Sequence, residues 1–171
     1  MNDMTIITLP RRAFRAACVA LSLAGACAPA FAATWGCSLT VTALNFGAYN
    51  PFQTTPNQVN GTISATCSLL TGNAATVTLL DTFSTGSSNS YATRTLVSGA
   101  STLNYNIYKD AAYTQIRGNG TGGSLTGSAT LNLTTTNPVQ SVSGTIYGQI
   151  PAGQNVAPGT YTDTMVVTLT F

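Results

Sequence analysis

The stretch that decides the fold is Tyr161-Thr-Asp-Thr-Met-Val-Val-Thr-Leu-Thr-Phe171, in which apolar and polar residues alternate. Successive side chains of a β-strand point to opposite faces, so this stretch predicts a strand with one apolar face. That face carries Met165, Val167, Leu169 and Phe171. No later segment of the sequence is expected to pair with this strand. An edge strand with unpaired N–H and C=O groups favours pairing with a strand from another chain.

Similar alternation recurs along the rest of the chain, with Gly-, Pro-, Asn- and Ser-rich loops between the segments. The predicted strands before the last one are 38–46, 59–67, 74–80, 93–97, 103–108, 125–134 and 139–150. Leu39, Val41 and Leu44 are the core candidates of the first strand. The pattern indicates no helix of ten or more residues. Many short strands with turn residues between them indicate an all-β sandwich or barrel.

The first 32 residues have the pattern of a cleaved signal peptide. An arginine-containing start precedes an apolar segment at 16–25, which is too short to span a bilayer comfortably. Ala30-Phe31-Ala32 is a small-x-small cleavage motif, so one mature domain is predicted over residues 33–171. A lipoprotein site at 24–27 is the alternative. No segment of the mature chain is expected to span a membrane.

The charges after residue 32 balance. Three basic and three acidic residues give that part of the chain a net charge of zero. They are Arg94, Lys109, Arg117, Asp81, Asp110 and Asp163. Binding to nucleic acid or to anionic lipid therefore has no electrostatic basis.

The residues of acid–base catalysis are scarce, because the chain of 171 residues has no His and no Glu. A serine triad needs a His, and a zinc site of the usual ligands is not expected. Asp81 and Asp110 follow predicted strands and are expected to cap turns. Asp163 is expected to face outward and to make a structural hydrogen bond. The sequence therefore predicts a protein without enzyme activity, metal or cofactor.

Two of the four cysteines, Cys37 and Cys67, follow the predicted signal peptide. Export to an oxidising compartment favours a disulfide between them. By chain-entropy estimates, closing a loop of about thirty residues stabilises the fold by about 3–4 kcal/mol. The alternative is a reactive thiol pair, but there is no C-x-x-C spacing and no basic neighbour to lower either thiol pKa.

Five motifs in order resemble a known family. They are Leu44-Asn-Phe-Gly-x-Tyr49, Gly61-x-Ile-x-x-x-Cys67, Leu103-Asn-Tyr-Asn-Ile-Tyr-x-Asp110, Tyr147-Gly-x-Ile-Pro151 and Gly159-x-Tyr-x-Asp-Thr164. Between Gly36 and Phe171 the chain is similar to the spore coat protein U domain, the subunit domain of archaic chaperone–usher pili.

The resemblance implies an incomplete immunoglobulin-like β-sandwich that lacks its last strand and is completed by a strand from a partner. The implied partners are a periplasmic chaperone, an outer-membrane usher and other pilus subunits, and the implied destination is the cell surface. The terminal strand and the first strand are the implied walls of the acceptor groove. Its lining is expected to be Leu39, Val41, Met165, Val167, Leu169 and Phe171.

The segment before the first cysteine differs from the family pattern. Subunits that polymerise carry an apolar donor extension of about ten residues or more, whereas cleavage after Ala32 leaves four residues, Ala33-Thr-Trp-Gly36. We therefore expect a subunit that accepts a strand without donating one, at a pilus tip or as a terminator.

Two other functions stay open. The first is a tip adhesin for a surface or a carbohydrate, with an aromatic patch made by Trp35, Tyr49, Phe52, Tyr91 and Tyr113. The second is a free-standing secreted domain, which predicts a stable monomer without a chaperone.

Overall fold

The computed structural model describes residues 4–10 and 32–171. Nine strands and one 3₁₀ turn, at Gly86–Ser88, make up the regular structure of these residues. The strands are β1 (Met4–Pro10), β2 (Thr34–Val41), β3 (Asn57–Thr71), β4 (Ala74–Phe83), β5 (Arg94–Ser98), β6 (Ser101–Tyr108), β7 (Gly127–Thr134), β8 (Val139–Ile150) and β9 (Asp163–Thr170).

The strands form two sheets. One sheet has four strands in the order β1-β9-β4-β7, and the other has five in the order β2-β3-β8-β6-β5. β1 runs parallel to β9, and the neighbouring pairs formed by the later strands are antiparallel. The apolar faces of the two sheets pack against each other, which confirms the prediction of an all-β sandwich.

The first strand of the mature domain differs most from its predicted bounds. β2 begins at Thr34 and ends at Val41, whereas the alternation suggested a strand from 38 to 46. One further backbone hydrogen bond, from Thr42 N to Thr62 O, continues the pairing. Leu44 is fully buried beyond the end of the strand. Its apolar pattern thus reflects burial in the core and not strand pairing.

The core has two clusters, which share the half-buried side chain of Leu39 at their borders. The larger cluster consists of Leu44, Phe46, Ile63, Phe83, Leu96, Leu103, Tyr105, Ile107, Ile146, Ile150, Tyr161, Met165 and Val167. The smaller consists of Ala65, Cys67, Val77, Leu79, Leu131, Leu133 and Leu169.

The predicted disulfide is present. Cys37 on β2 lies directly opposite Cys67 on β3, and their sulfur atoms are bonded. Because β2 is an edge strand that pairs only with β3 in its sheet, the bond fixes the edge of the five-stranded sheet to its neighbour.

The segment before residue 32 is described only at Met4–Pro10. The predicted apolar segment and the residues Ala30 and Phe31 of the cleavage motif lie outside the described residues. The structure includes β1 and is therefore that of the uncleaved chain, so removal of residues 1–32 stays a prediction. Among the described residues, no helix has the length and apolar character needed to cross a membrane.

Candidate functional site

The inner face of β9 is apolar, as its alternation predicted. Met165 and Val167 are fully buried, and Leu169 is 5% exposed. Thr164 and Thr170, which point to the opposite face of the strand, are exposed. One face of β9 therefore belongs to the core. Only β1 lies outside β9 in the four-stranded sheet, so β9 is the edge strand among the strands that follow residue 32.

β2 forms the corresponding border of the other sheet. Its residues Leu39 and Val41 are half-buried and pack against the core. Leu39 and the half-buried Phe171 pack against the smaller cluster, which also contains Leu169. The structure thus brings the two predicted groove walls to the same side of the sandwich, and we call the space between β2 and β9 the edge groove.

The edge groove contains the backbone of β1. The seven residues of β1 pair in parallel with β9, so that Ile6 lies opposite Met165 and Pro10 opposite Leu169. Residues of β1 also come within 8 Å of β2, measured between Cα atoms. The edge groove therefore has the length and width to take a strand.

Asp163, at the start of β9, does not face outward as expected. It is 3% exposed, because residues 163 and 165 are two positions apart and therefore point to the same, inner face of the strand. Its carboxylate accepts hydrogen bonds from Ser87 N at 2.8 Å, Ser87 Oγ at 2.7 Å and the Tyr105 hydroxyl at 2.6 Å. The carboxylate thus holds the 3₁₀ turn against the start of β9.

Arg94 is the second buried charge at this end of the sandwich, and its side chain is fully buried. Its guanidinium donates to the Asn106 side-chain oxygen at 2.5 Å, Ser84 O at 3.0 Å and Arg117 O at 2.8 Å. Burial lowers the pKa of Arg94. Burial also raises the pKa of Tyr105, and the charge of Asp163 raises it further. We call Arg94, Tyr105, Asn106 and Asp163 the buried polar network; the exposed Ser87 donates to it from the 3₁₀ turn.

Asp110 makes the turn that was expected of it, but Asp81 does not. The carboxylate of Asp110 accepts hydrogen bonds from Thr114 and Gln115, and the bond from the Thr114 hydroxyl is the largest cause of its lowered pKa. Asp81 instead forms an ion pair with Arg117, with 2.8 Å between the nitrogen and oxygen atoms. Its partner is 36 residues away, so the local pattern did not indicate it.

The five candidate aromatic residues do not form one patch. Across residues 32–171, no two of the five rings are in stacking contact. Trp35 packs on the smaller core cluster, and Tyr113 stacks edge-to-face on Tyr108 and Tyr147. Phe52 is 90% exposed. The described part of the chain also holds no group of three or more potential metal ligands among its Cys, His, Asp and Glu residues.

The two packed, mainly antiparallel sheets form an immunoglobulin-like β-sandwich. The chain belongs to the Spore Coat Protein U domain family, whose sequence model matches residues 24–168. The match covers all the motifs that carried the resemblance, which confirms it.

Two known proteins are similar to the chain. Protein U of Myxococcus xanthus is 36% identical over 137 residues, which are 75% of this chain and 71% of that protein. The fold is similar to the crystal structure of the CsuC–CsuE chaperone–tip adhesion subunit pre-assembly complex from archaic chaperone–usher Csu pili of Acinetobacter baumannii. That comparison has a TM-score of 0.52 and 20% identity, and it covers 81% of this chain. The chain spans only 40% of the length of the matched chain.

Proposed function

We propose that this chain is a structural subunit of a secreted surface fibre of the archaic chaperone–usher type. A periplasmic chaperone first supplies a strand to the edge groove, and a strand from another subunit replaces it at the outer-membrane usher. The protein travels through the periplasm to the cell surface. Its role is assembly, and it uses neither catalytic residues nor a cofactor.

The observation that carries the proposal is the border of β9 that pairs with β1. From Asp163 to Leu169 its backbone pairs with β1, which belongs to the predicted signal peptide. After removal of residues 1–32, the backbone groups on that side of β9 have no strand partner in the mature chain. A strand from another protein restores these hydrogen bonds, and its alternate side chains enter the edge groove.

The family and the fold support the same role. The spore coat protein U domain resembles the subunit domain of archaic chaperone–usher pili in its motifs. The CsuE subunit, which has a similar fold, forms a pre-assembly complex with the chaperone CsuC. The fold is the common element of the two proteins.

Capture by a chaperone of the archaic chaperone–usher type tests the proposal. Leu169→Asp places an unpaired carboxylate in the apolar edge groove, so recovery of the complex should fall by at least about tenfold. Val167→Asp should behave in the same way. Thr170→Asp is the matched control, because Thr170 is exposed on the same strand, and its capture should be unchanged. Normal capture of the Leu169 and Val167 variants would mean that β9 does not line the groove.

The position of the subunit in the fibre is the finer part of the proposal. Thr34, Trp35 and Gly36 are already paired within the fold, opposite residues of β3. With cleavage after Ala32, these residues are part of β2 and are not free to enter a neighbouring groove. This supports a tip or terminating subunit. If a peptide of the mature N-terminus inserts into the groove of another subunit, that position is wrong.

A second candidate function, adhesion at the tip, is favoured by the loops at one end of the sandwich. A cavity of about 310 Å³ lies between loops that contain Tyr49, Pro51 and Pro158. The Tyr49 hydroxyl joins the two loops, since it donates to Pro151 O and accepts from Gln154 N. Phe52 directly follows Pro51, which lines the cavity, and is 90% exposed.

The adhesin candidate predicts that Phe52→Ser lowers retention of the protein on an apolar or carbohydrate-coated surface severalfold. Leu70→Ser is the matched control, since Leu70 is 65% exposed but lies in β3. If both variants are retained as well as the parent protein, the adhesin candidate is wrong and the assembly role alone remains.

A further inference from the structure

A cavity of about 250 Å³ lies between the two sheets, and it is lined by Leu39 and Leu169 of the edge groove and by polar residues that strand assembly does not use. At one end it reaches Leu39 on β2 and Leu169 on β9. At the other end it reaches Gly127 on β7 and Lys109, which follows β6. The cavity thus lies between the two sheets and extends from β2 and β9 to β7 and the end of β6.

Small inward-facing residues create this space. Ala65 on β3 and Gly144 on β8 belong to one sheet, Ala129 on β7 belongs to the other, and each of them lines the cavity. Adding a Cβ at Gly144 would meet Ile63 at 3.5 Å, an ordinary contact. The backbone therefore has room there for a larger residue, and the small residue leaves the space open.

One end of the cavity is cationic. Arg117 and Lys109 line it together with one carboxylate, that of Asp81, which is already paired with Arg117. The ammonium group of Lys109 donates to Thr126 O at 2.6 Å and has no carboxylate partner among the described residues. The site therefore has a net positive charge of one next to an apolar interior.

A buried donor also lacks an acceptor at this end. Arg117 is 5% exposed, and its Nε has no hydrogen-bond partner among the residues that the structure describes. Its other guanidinium nitrogens donate to Asp81 and to Thr145 O. A buried N–H without an acceptor is unfavourable, so Arg117 is the residue of the lining whose hydrogen bonding is incomplete.

We propose that the cavity binds a small amphipathic carboxylate, with its head at Lys109 and Arg117 and its apolar tail between the sheets. An apolar cavity of about 150 Å³ is enough for benzene, so the larger volume here suits a tail of about eight carbons.

The test is titration of the full chain with octanoate by calorimetry, below its micelle concentration. Saturable binding of octanoate, with weaker binding of octanol, is expected because octanol lacks the charge. Lys109→Gln should weaken octanoate about fivefold and leave octanol unchanged.

Filling the cavity separates this site from surface binding. Ala129→Leu should weaken octanoate at least about tenfold, because the new side chain occupies the space of the tail. Thr130→Leu is the matched control, since Thr130 is exposed on the same strand, and its binding should equal that of the parent. If Ala129→Leu does not fold, Gly144→Ala provides the same test with a smaller change. The proposal is overturned if octanoate does not bind, or if the cavity-filling variants bind it as the parent does.

Discussion

The two ends of β9 are held by different chemistry. At its start, Asp163 is buried and accepts hydrogen bonds from Ser87 and Tyr105. At its end, Leu169 and Phe171 pack on an apolar cluster beside the edge strand β2. The start of β9 is thus fixed by partners from within the domain, whereas the end borders a groove whose strand comes from outside the predicted mature chain.

This difference has a physical consequence. Charged hydrogen bonds to a buried carboxylate depend on correct geometry, so the buried polar network fixes where β9 begins. Apolar packing is non-directional, so under the proposed function the edge groove would accept strands of different sequence whose alternate side chains are apolar. A domain that takes one strand after another needs both properties in the same β-strand.

The largest expected effect is at the start of β9. Asp163→Ala removes a buried carboxylate, its hydrogen bond to the buried Tyr105 hydroxyl and its two hydrogen bonds to the exposed Ser87, which should lower the free energy of unfolding by about 4 kcal/mol. Urea unfolding of the full chain measures it. Asp110→Ala is the control, because Asp110 is half-buried and caps only a local turn, and its effect should be much smaller. Equal effects of the two variants would show that the network does not fix β9.

The next effect is at the open end. Cys37→Ser or Cys67→Ser frees the edge strand β2 from β3 and should lower the free energy of unfolding by about 3 kcal/mol. Recovery from an oxidising compartment should fall accordingly. The control is the parent protein unfolded under reducing conditions, which should match the variants. Thermal unfolding that is unchanged by either substitution would contradict a structural role of the bridge.

The smallest effect concerns the pH dependence of the network. Tyr105→Phe removes the hydrogen bond to Asp163 and should cost about 2 kcal/mol at pH 7. Because burial raises the pKa of Tyr105, its stabilising effect is complete below the ordinary tyrosine pKa of about 10 and is lost as the pH rises above it. The difference between parent and variant should therefore shrink above pH 10. A constant difference from pH 7 to 11 would show that Tyr105 is not buried as described.

The strands of this fold were predictable because their faces differ in polarity. The alternation in β8 and β9 gave their bounds within two residues, since each strand has a core face and an outer face. The resemblance supplied the two groove walls, which no local pattern joins. Sequence spacing also favoured the disulfide, because only two cysteines follow the predicted signal peptide.

The polar contacts were not predictable in the same way. Asp163 bonds to Ser87, 76 residues away, and Asp81 pairs with Arg117, 36 residues away. A carboxylate near a strand end looks like a turn cap unless the distant donor is known. The sequence pattern also did not indicate that Arg94 is buried, because its neighbours Tyr105 and Asn106 lie on the next strand and are recognised only once β5 and β6 are paired.

The central claim is that β9 of the mature chain needs a strand from a partner. The most direct measurement is the yield of soluble, protease-resistant protein when residues 33–171 are produced in the periplasm with and without a chaperone of the archaic chaperone–usher type. The account predicts soluble protein only with the chaperone, and aggregation or degradation without it. A soluble, protease-resistant monomer formed without a chaperone or an added strand would contradict the claim.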